Sequence, residues 1–191
     1  MTEKKYLLPV FILLFLAFLT SVSVSQPLRQ IIDGNDRVVS IPIKIDRIIC
    51  SGPGCLRLIT YFGAQDRVVA VDDIETRTNK FDARPYSLAN SQFKSLPVFG
   101  GFRGNDDPEK ILGLKQSPQI IFKTFATMGY DPVELERKTE IPVVILEYGD
   151  LHKGRKQFFN SLKVIGQVLN KESRASELID FFNRHIQDLE S

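Results

Sequence analysis

The chain has no tryptophan and only two methionines, two histidines and two cysteines in 191 residues. So few imidazoles and thiols leave little for a metal cage or for histidine-based acid–base chemistry. An excess of charge of one sign is also missing. Lysine and arginine number 25 against 23 aspartates and glutamates, which removes any sequence-independent attraction to nucleic acid or an anionic membrane surface. There is no Gly-x-Ser-x-Gly elbow, His-Glu-x-x-His helix or Walker loop, and Gly52-Pro53-Gly54 lacks the third glycine of a dinucleotide fingerprint. Internal repeats and low-complexity tracts are absent too. What is present is a hydrophobic content of 43%, enough for one globular core in a chain with room for a domain plus an appendage.

The N-terminus carries the clearest segment. Lys4 and Lys5 precede an apolar run from Tyr6 to Leu19, and small residues at 21–25 lead into Gln26. That is the layout of a secretory signal peptide. An uncleaved membrane anchor is the competing reading, because the run extended to Val24 approaches the roughly 20 apolar residues that span a bilayer. Either reading puts the remainder outside the cytoplasm, and with no cysteine after the run a bacterial-type lipid anchor is not expected there. Residues 1–25 are thus expected to be a signal peptide or anchor, 26–152 an α/β ligand-binding lobe and 153–191 a helical segment.

Export permits disulfides, and Cys50 and Cys55 flank a Gly-Pro-Gly turn. The pair reads as two small buried apolar residues. A disulfide between them stays open, and metal binding is disfavoured because neither His152 nor His185 stands at a finger-like spacing.

Leu28 to Ile32, the turn Asp33-Gly34-Asn35-Asp36, and Arg37 to Ile41 read as a hairpin. Beyond it, short β-branched runs at Ile48–Cys50, Val68–Val71, Val98–Phe99, Ile120–Phe122 and Val143–Leu146 alternate with helical segments. This predicts an α/β fold: a single, mainly parallel sheet flanked by helices. Asp107-Pro108 and Asp131-Pro132 each place a cap and a first-turn proline at a helix start. Apolar stripes at Phe158, Leu162, Ile165, Leu169 and at Ala175, Leu178, Ile179, Phe182, Ile186, Leu189 predict two C-terminal helices separated at Asn170-Lys171. The second stripe is still in register at Ser191 with no stop signal, so more helix is expected to follow.

Ligands of an open α/β sheet bind outside the carboxyl ends of its strands. The segments expected there are rich in glycine, cations and aromatics. They are Ser51-Gly52-Pro53-Gly54, Gly100-Gly101-Phe102-Arg103-Gly104, Lys123-Thr124-Phe125 and Glu147-Tyr148-Gly149, and the long polar stretch after Asp72 adds Arg84-Pro85-Tyr86. Arg84, Arg103 and Lys123 with Tyr86, Phe102 and Tyr148 make a candidate rim for a bulky anionic ligand with a planar or apolar body. The glycine-rich loop feeds a helix N-terminus, where free N–H groups favour anions. Asp72-Asp73 and Asp106-Asp107 are carboxylate pairs that could bind a cation, but they read first as turn and cap residues. No metal or cofactor site is expected.

Six blocks in fixed order resemble the substrate-binding proteins of iron-siderophore, haem and cobalamin ABC importers. They are IIDGNDRVVSIPIKIDRIIC, LRLITYFGAQDRVVAVDDIE, RPYSLAN, DPEKILGLKQSPQIIFK, IPVVILEYGD and SLKVIGQVLNKESRASELIDFF. The resemblance runs from about Leu28 to Leu189, one lobe plus a connecting helix. It implies half of a bilobed binding protein joined through a long backbone helix, with the C-terminal lobe missing. Its implied ligand is a metal chelate such as a ferric siderophore, haem or a corrinoid, and its implied partner is an ABC permease. Location in the periplasm or at the cell surface goes with that, with no enzymatic activity. Glu109 matches the family's permease-docking carboxylate. A lone interaction lobe, docking on a permease or a separately encoded second lobe without capturing ligand alone, is the alternative. An enzyme on a nitrogenase-like or chelatase scaffold is a third reading, for which no credible acid–base or nucleophile set exists.

Overall fold

The computed structural model describes residues 26–77 and 84–190, and the N-terminal apolar segment with its signal-or-anchor reading lies outside them. Strands β1 (Leu28–Ile32) and β2 (Val38–Pro42) form an antiparallel pair. Their alternation turns Ile31, Val39 and Ile41 into the core and leaves Leu28, Ile32 and Val38 on the outer face. Asp33 organises the turn. Its carboxylate accepts from the N–H groups of Asn35 (2.9 Å) and Arg37 (3.1 Å) and pairs with the Arg37 guanidinium at 2.8 Å.

The main sheet holds β3 (Ile48–Ser51), β4 (Val68–Asp72), β5 (Val98–Gly101), β6 (Asn105–Asp106), β7 (Ile120–Thr124) and β8 (Val143–Leu146), in the order β6-β5-β4-β3-β7-β8. Every pair is parallel except β5–β6. All five strands expected from sequence are therefore present. The sixth, β6, has two residues and so no period to read. Strand β7 also runs further than expected, to Thr124, which takes Lys123 out of the following loop and into the sheet.

Side chains alternate between two packed faces, as a twofold strand period requires. Ile48, Cys50, Ile120, Phe122, Val144 and Leu146 join one cluster, while Ile49, Ile121 and Val143 join another. Helix α1 (Cys55–Tyr61) packs on the first face. Helices α2 (Asp73–Thr76) and α3 (Pro85–Ala89) break up the long polar stretch, and α4 (Pro108–Leu112) and α5 (Pro132–Thr139) cover the second face through Ile111 and Leu135. The expected caps are in place: Asp107 Oδ1 accepts from Lys110 N–H at 3.1 Å, and Asp131 Oδ1 from Glu134 N–H at 2.9 Å.

Two long helices, α6 (Arg155–Leu169) and α7 (Glu172–Glu190), complete the first face. Asn170 turns the chain between them in the left-handed conformation (φ 55°), which asparagine tolerates. Phe158, Leu162, Ile165 and Val168 of α6 and Ala175 and Leu178 of α7 share one core with the hairpin and the sheet, while Phe181 and Leu189 are exposed. The free edge of β8 is closed by the hairpin turn. Gly34 N–H donates to Ile145 O (2.8 Å), Ile145 N–H donates to Asp33 Oδ2 (3.2 Å), and the Arg37 guanidinium donates to Val143 O (2.5 Å).

Candidate functional site

The carboxyl ends of β3 and β4 open into a cleft of about 230 Å³, beside the point where the strand order reverses. The backbone of Gly52-Pro53-Gly54 forms one wall. Gly54 sits in the left-handed region (φ 75°), and a Cβ there would lie 2.4 Å from Tyr148 Cε2, so only glycine lets the tyrosine ring approach.

Four of the expected rim residues line this cleft: Arg84, Tyr86, Phe102 and Tyr148. Their chemistry is not that of an open anion rim. The Arg84 guanidinium donates to Glu75 Oε1 (2.7 Å) and Ile74 O (3.0 Å). The Tyr86 hydroxyl donates to the same Glu75 oxygen at 2.7 Å, and burial followed by the nearby Glu75 charge pushes its ionisation up. Tyr148 stacks on Phe125 with ring centroids 4.6 Å apart, and its hydroxyl accepts from Arg57 at 3.2 Å. Phe102 is fixed through its backbone, whose N–H donates to Asp73 Oδ1 at 2.8 Å.

The other two rim residues lie elsewhere. Arg103 is exposed, left-handed (φ 66°), and lays its guanidinium over the Phe102 ring at 5.8 Å, outside the cleft lining. Lys123 is corrected from rim cation to buried structural charge. Placed on β7 opposite Ser51, it is fully enclosed, and its ammonium donates to Asp106 Oδ2 (2.6 Å), Ser51 Oγ (3.1 Å) and Gly104 O (3.2 Å). Three donors and three acceptors leave nothing to offer a ligand. The anion seat expected ahead of α4 is also corrected, because the chain's own Asp107 takes the Lys110 N–H. Glu109 is exposed on the first turn of α4 and does not line the cleft.

Sequence reasoning passed over two lining groups, Arg57 and Glu75, and read a third, Asp72, first as a turn residue. Arg57 lies on α1 directly after the Gly-Pro-Gly turn. Asp72 ends β4, and Glu75 sits one helical turn further on α2. The position of Asp72 at a strand's carboxyl end was the available signal. Asp72 and Glu75 are both buried, and Asp72 Oδ1 and Glu75 Oε2 have no hydrogen-bond partner among the described residues. Burial, then the charges of Glu75 and Asp73, push the Asp72 carboxyl up to about 7, with Arg84 opposing only in part. Asp73 is held low by bonds to Arg77 and to the Phe102 N–H.

Cys50 and Cys55 are free, buried thiols. Cys55 Sγ donates to Phe122 O (3.5 Å), and burial pushes the Cys50 thiol up, with Cys55 beside it adding to the effect. Among the described residues no group of three or more His, Cys, Asp or Glu is placed to hold a metal ion.

No protein-family model and no curated protein matches the sequence. Solved structures do. A periplasmic solute-binding protein from Veillonella parvula is similar at 19% identity and a TM-score of 0.66, over 83% of this chain and 46% of its own. The molybdate periplasmic binding protein MolA of Haemophilus influenzae, bound to molybdate, is similar at 22% identity and a TM-score of 0.65, over 83% of this chain and 52% of its own. The petrobactin-binding protein YclQ of Bacillus subtilis is similar at 17% identity and a TM-score of 0.63, over 85% and 52%. The chain thus spans about half the length of the structures it matches. It has the fold of one α/β lobe of the periplasmic solute-binding proteins of ABC transporters.

Proposed function

We propose that the chain is a ligand-binding lobe of an extracytoplasmic solute-binding protein, which presents a metal chelate to an ABC importer and catalyses no reaction. The observation that carries this is the cleft itself. It lies at the carboxyl ends of β3 and β4 on a fold shared with periplasmic binding proteins, and aromatic residues from three separate segments, Tyr86, Phe102 and Tyr148, line it. Aromatic faces suit the planar or apolar body of a ferric siderophore, haem or corrinoid, and Arg57 at the edge of the cleft suits a peripheral carboxylate. Equilibrium dialysis of the purified chain against ferric siderophores, haemin and cobalamin tests it. The expected result is weak but saturable binding of one class, diminished in Tyr148→Ala. A folded chain that retains none of them would overturn independent capture.

A second reading is favoured by the surface of α4 and α5. Glu109 is exposed there together with Leu112 and Val133, each 58% exposed, a mixed acidic and apolar patch of the kind a partner covers. On this reading the lobe docks on a permease or on a separately encoded second lobe without holding ligand alone. Glu109→Lys then abolishes co-purification with the permease while leaving dialysis unchanged.

A further inference from the structure

The cations lining the cleft each bond a neighbouring group, and its unmatched side-chain atoms are two carboxylate oxygens and Arg57 Nε. Arg84 is committed to Glu75 and Ile74 O, while Arg57, at the edge of the cleft, gives one donor to the Tyr148 hydroxyl and keeps Nε unmatched. The unmatched acceptors are Asp72 Oδ1 and Glu75 Oε2, on side chains whose residues are 7% and 2% exposed. Buried acceptors without donors are costly, so a site that keeps two of them is organised for something that brings donors. An anion would bring further acceptors to two carboxyl groups that each already have one oxygen unmatched. A metal ion would find too few ligands among the described residues. The cleft, at about 230 Å³, is smaller than the roughly 300–1,000 Å³ of a typical whole-ligand pocket and suits a substituent rather than an entire chelate.

We propose that this floor is a seat for a protonated amine, so that the solute recognised by the lobe carries a primary ammonium group that enters against Asp72 and Glu75. An ammonium supplies three donors on a compact charge, matching two open carboxylate oxygens and leaving one donor for a backbone carbonyl or water. The aromatic walls are compatible with the same group, since a cation is attracted to their faces. This deepens the solute-binding reading and rests on it.

The groups that face Asp72 are Glu75 and Asp73 on α2, Arg84 and Tyr86 at the start of α3, Cys50 on β3 and, across the cleft, Arg57 on α1 and Tyr148 after β8. With its carboxyl raised to about 7, Asp72 holds a proton at mildly acid pH, and an arriving ammonium displaces it. Amine affinity therefore rises with pH until Asp72 is ionised in the free protein and is flat above that.

Calorimetric titration of the purified chain with 1,4-diaminobutane and with inorganic phosphate, at pH 6 and pH 8 in buffers of different ionisation enthalpy, tests the seat. The diamine is expected to bind about tenfold more tightly at pH 8 than at pH 6, with close to one proton released at pH 6. Phosphate is expected not to compete. Asp72→Asn is expected to weaken the diamine at least tenfold and to abolish both the proton release and the pH dependence. Phosphate competing at the cleft, a diamine that fails to bind wild type, or binding indifferent to pH would each overturn the proposal, and these wild-type outcomes do not depend on the variant folding. Chelates that bind while the diamine does not would sink the amine seat alone, whereas diamine binding by a chain that retains no chelate would sink the chelate reading alone.

Discussion

Lys123 and Asp106 meet at 2.6 Å with both side chains shut away from solvent. The pair joins β7 to the two-residue β6 across the carboxyl end of the sheet, directly behind Ser51 at the start of the cleft wall. Its ammonium also bonds Gly104 O, so one charge holds together three separate stretches of chain.

Lys123→Met removes that charge and leaves Asp106 enclosed without a counter-ion, although burial already pushes the Asp106 carboxyl up. The expected loss is about 3–5 kcal/mol. Urea denaturation of the single variant measures it, and Lys123→Met combined with Asp106→Leu is expected to restore most of it.

Asp72 is expected to make stability fall as pH rises. Its folded pKa of about 7 lies above its ordinary value of 3.8, so its contribution is present in full below 3.8 and is lost as pH rises through 7. The loss amounts to about 4 kcal/mol over that window. Asp72→Asn is expected to flatten the profile between pH 5 and pH 8 and to be the more stable protein at pH 8.

Gly54→Ala is expected to cost about 1–2 kcal/mol, because the position is left-handed and the new methyl group collides with Tyr148 Cε2. The distinguishing readout is local. Tyrosine fluorescence and chelate binding change together, since the ring has to leave its stack on Phe125.

Asp131→Ala removes the cap of α5, whose side chain accepts from Glu134 N–H at 2.9 Å. About 1 kcal/mol of stability is expected to be lost. Because α5 does not line the cleft, diamine and chelate titrations are expected to stay unchanged, which makes this variant the control for Gly54→Ala.

The elements that sequence made legible are those with a strong local signal. Val68–Asp72 and Val143–Leu146 are short β-branched runs, Asp107-Pro108 and Asp131-Pro132 are cap-and-proline pairs, and the two C-terminal stripes keep their period over several turns. Among the candidate site residues, Tyr86 and Tyr148 line the cleft because their loops leave the sheet at its carboxyl edge. Lys123 was illegible as an interior residue because its counter-ion is 17 positions upstream and nothing local couples the two. Asp72 and Glu75 were hidden differently. Adjacent acidic residues in a polar stretch read as solvated turn residues, and only the tertiary approach of Arg84 and Tyr86 encloses them.

A sheet of six strands ordinarily offers two open borders on which a foreign strand can extend the ladder. One border here is β6, only two residues long, and its neighbour β5 runs antiparallel to it. The other, β8, has Val143 O, Ile145 O and Ile145 N–H already taken by Arg37, Gly34 and Asp33. The hairpin turn is therefore a plug as well as a connection. It lets the lobe display an exposed α7 and an open cleft while denying neighbouring copies a template for fibre-like stacking.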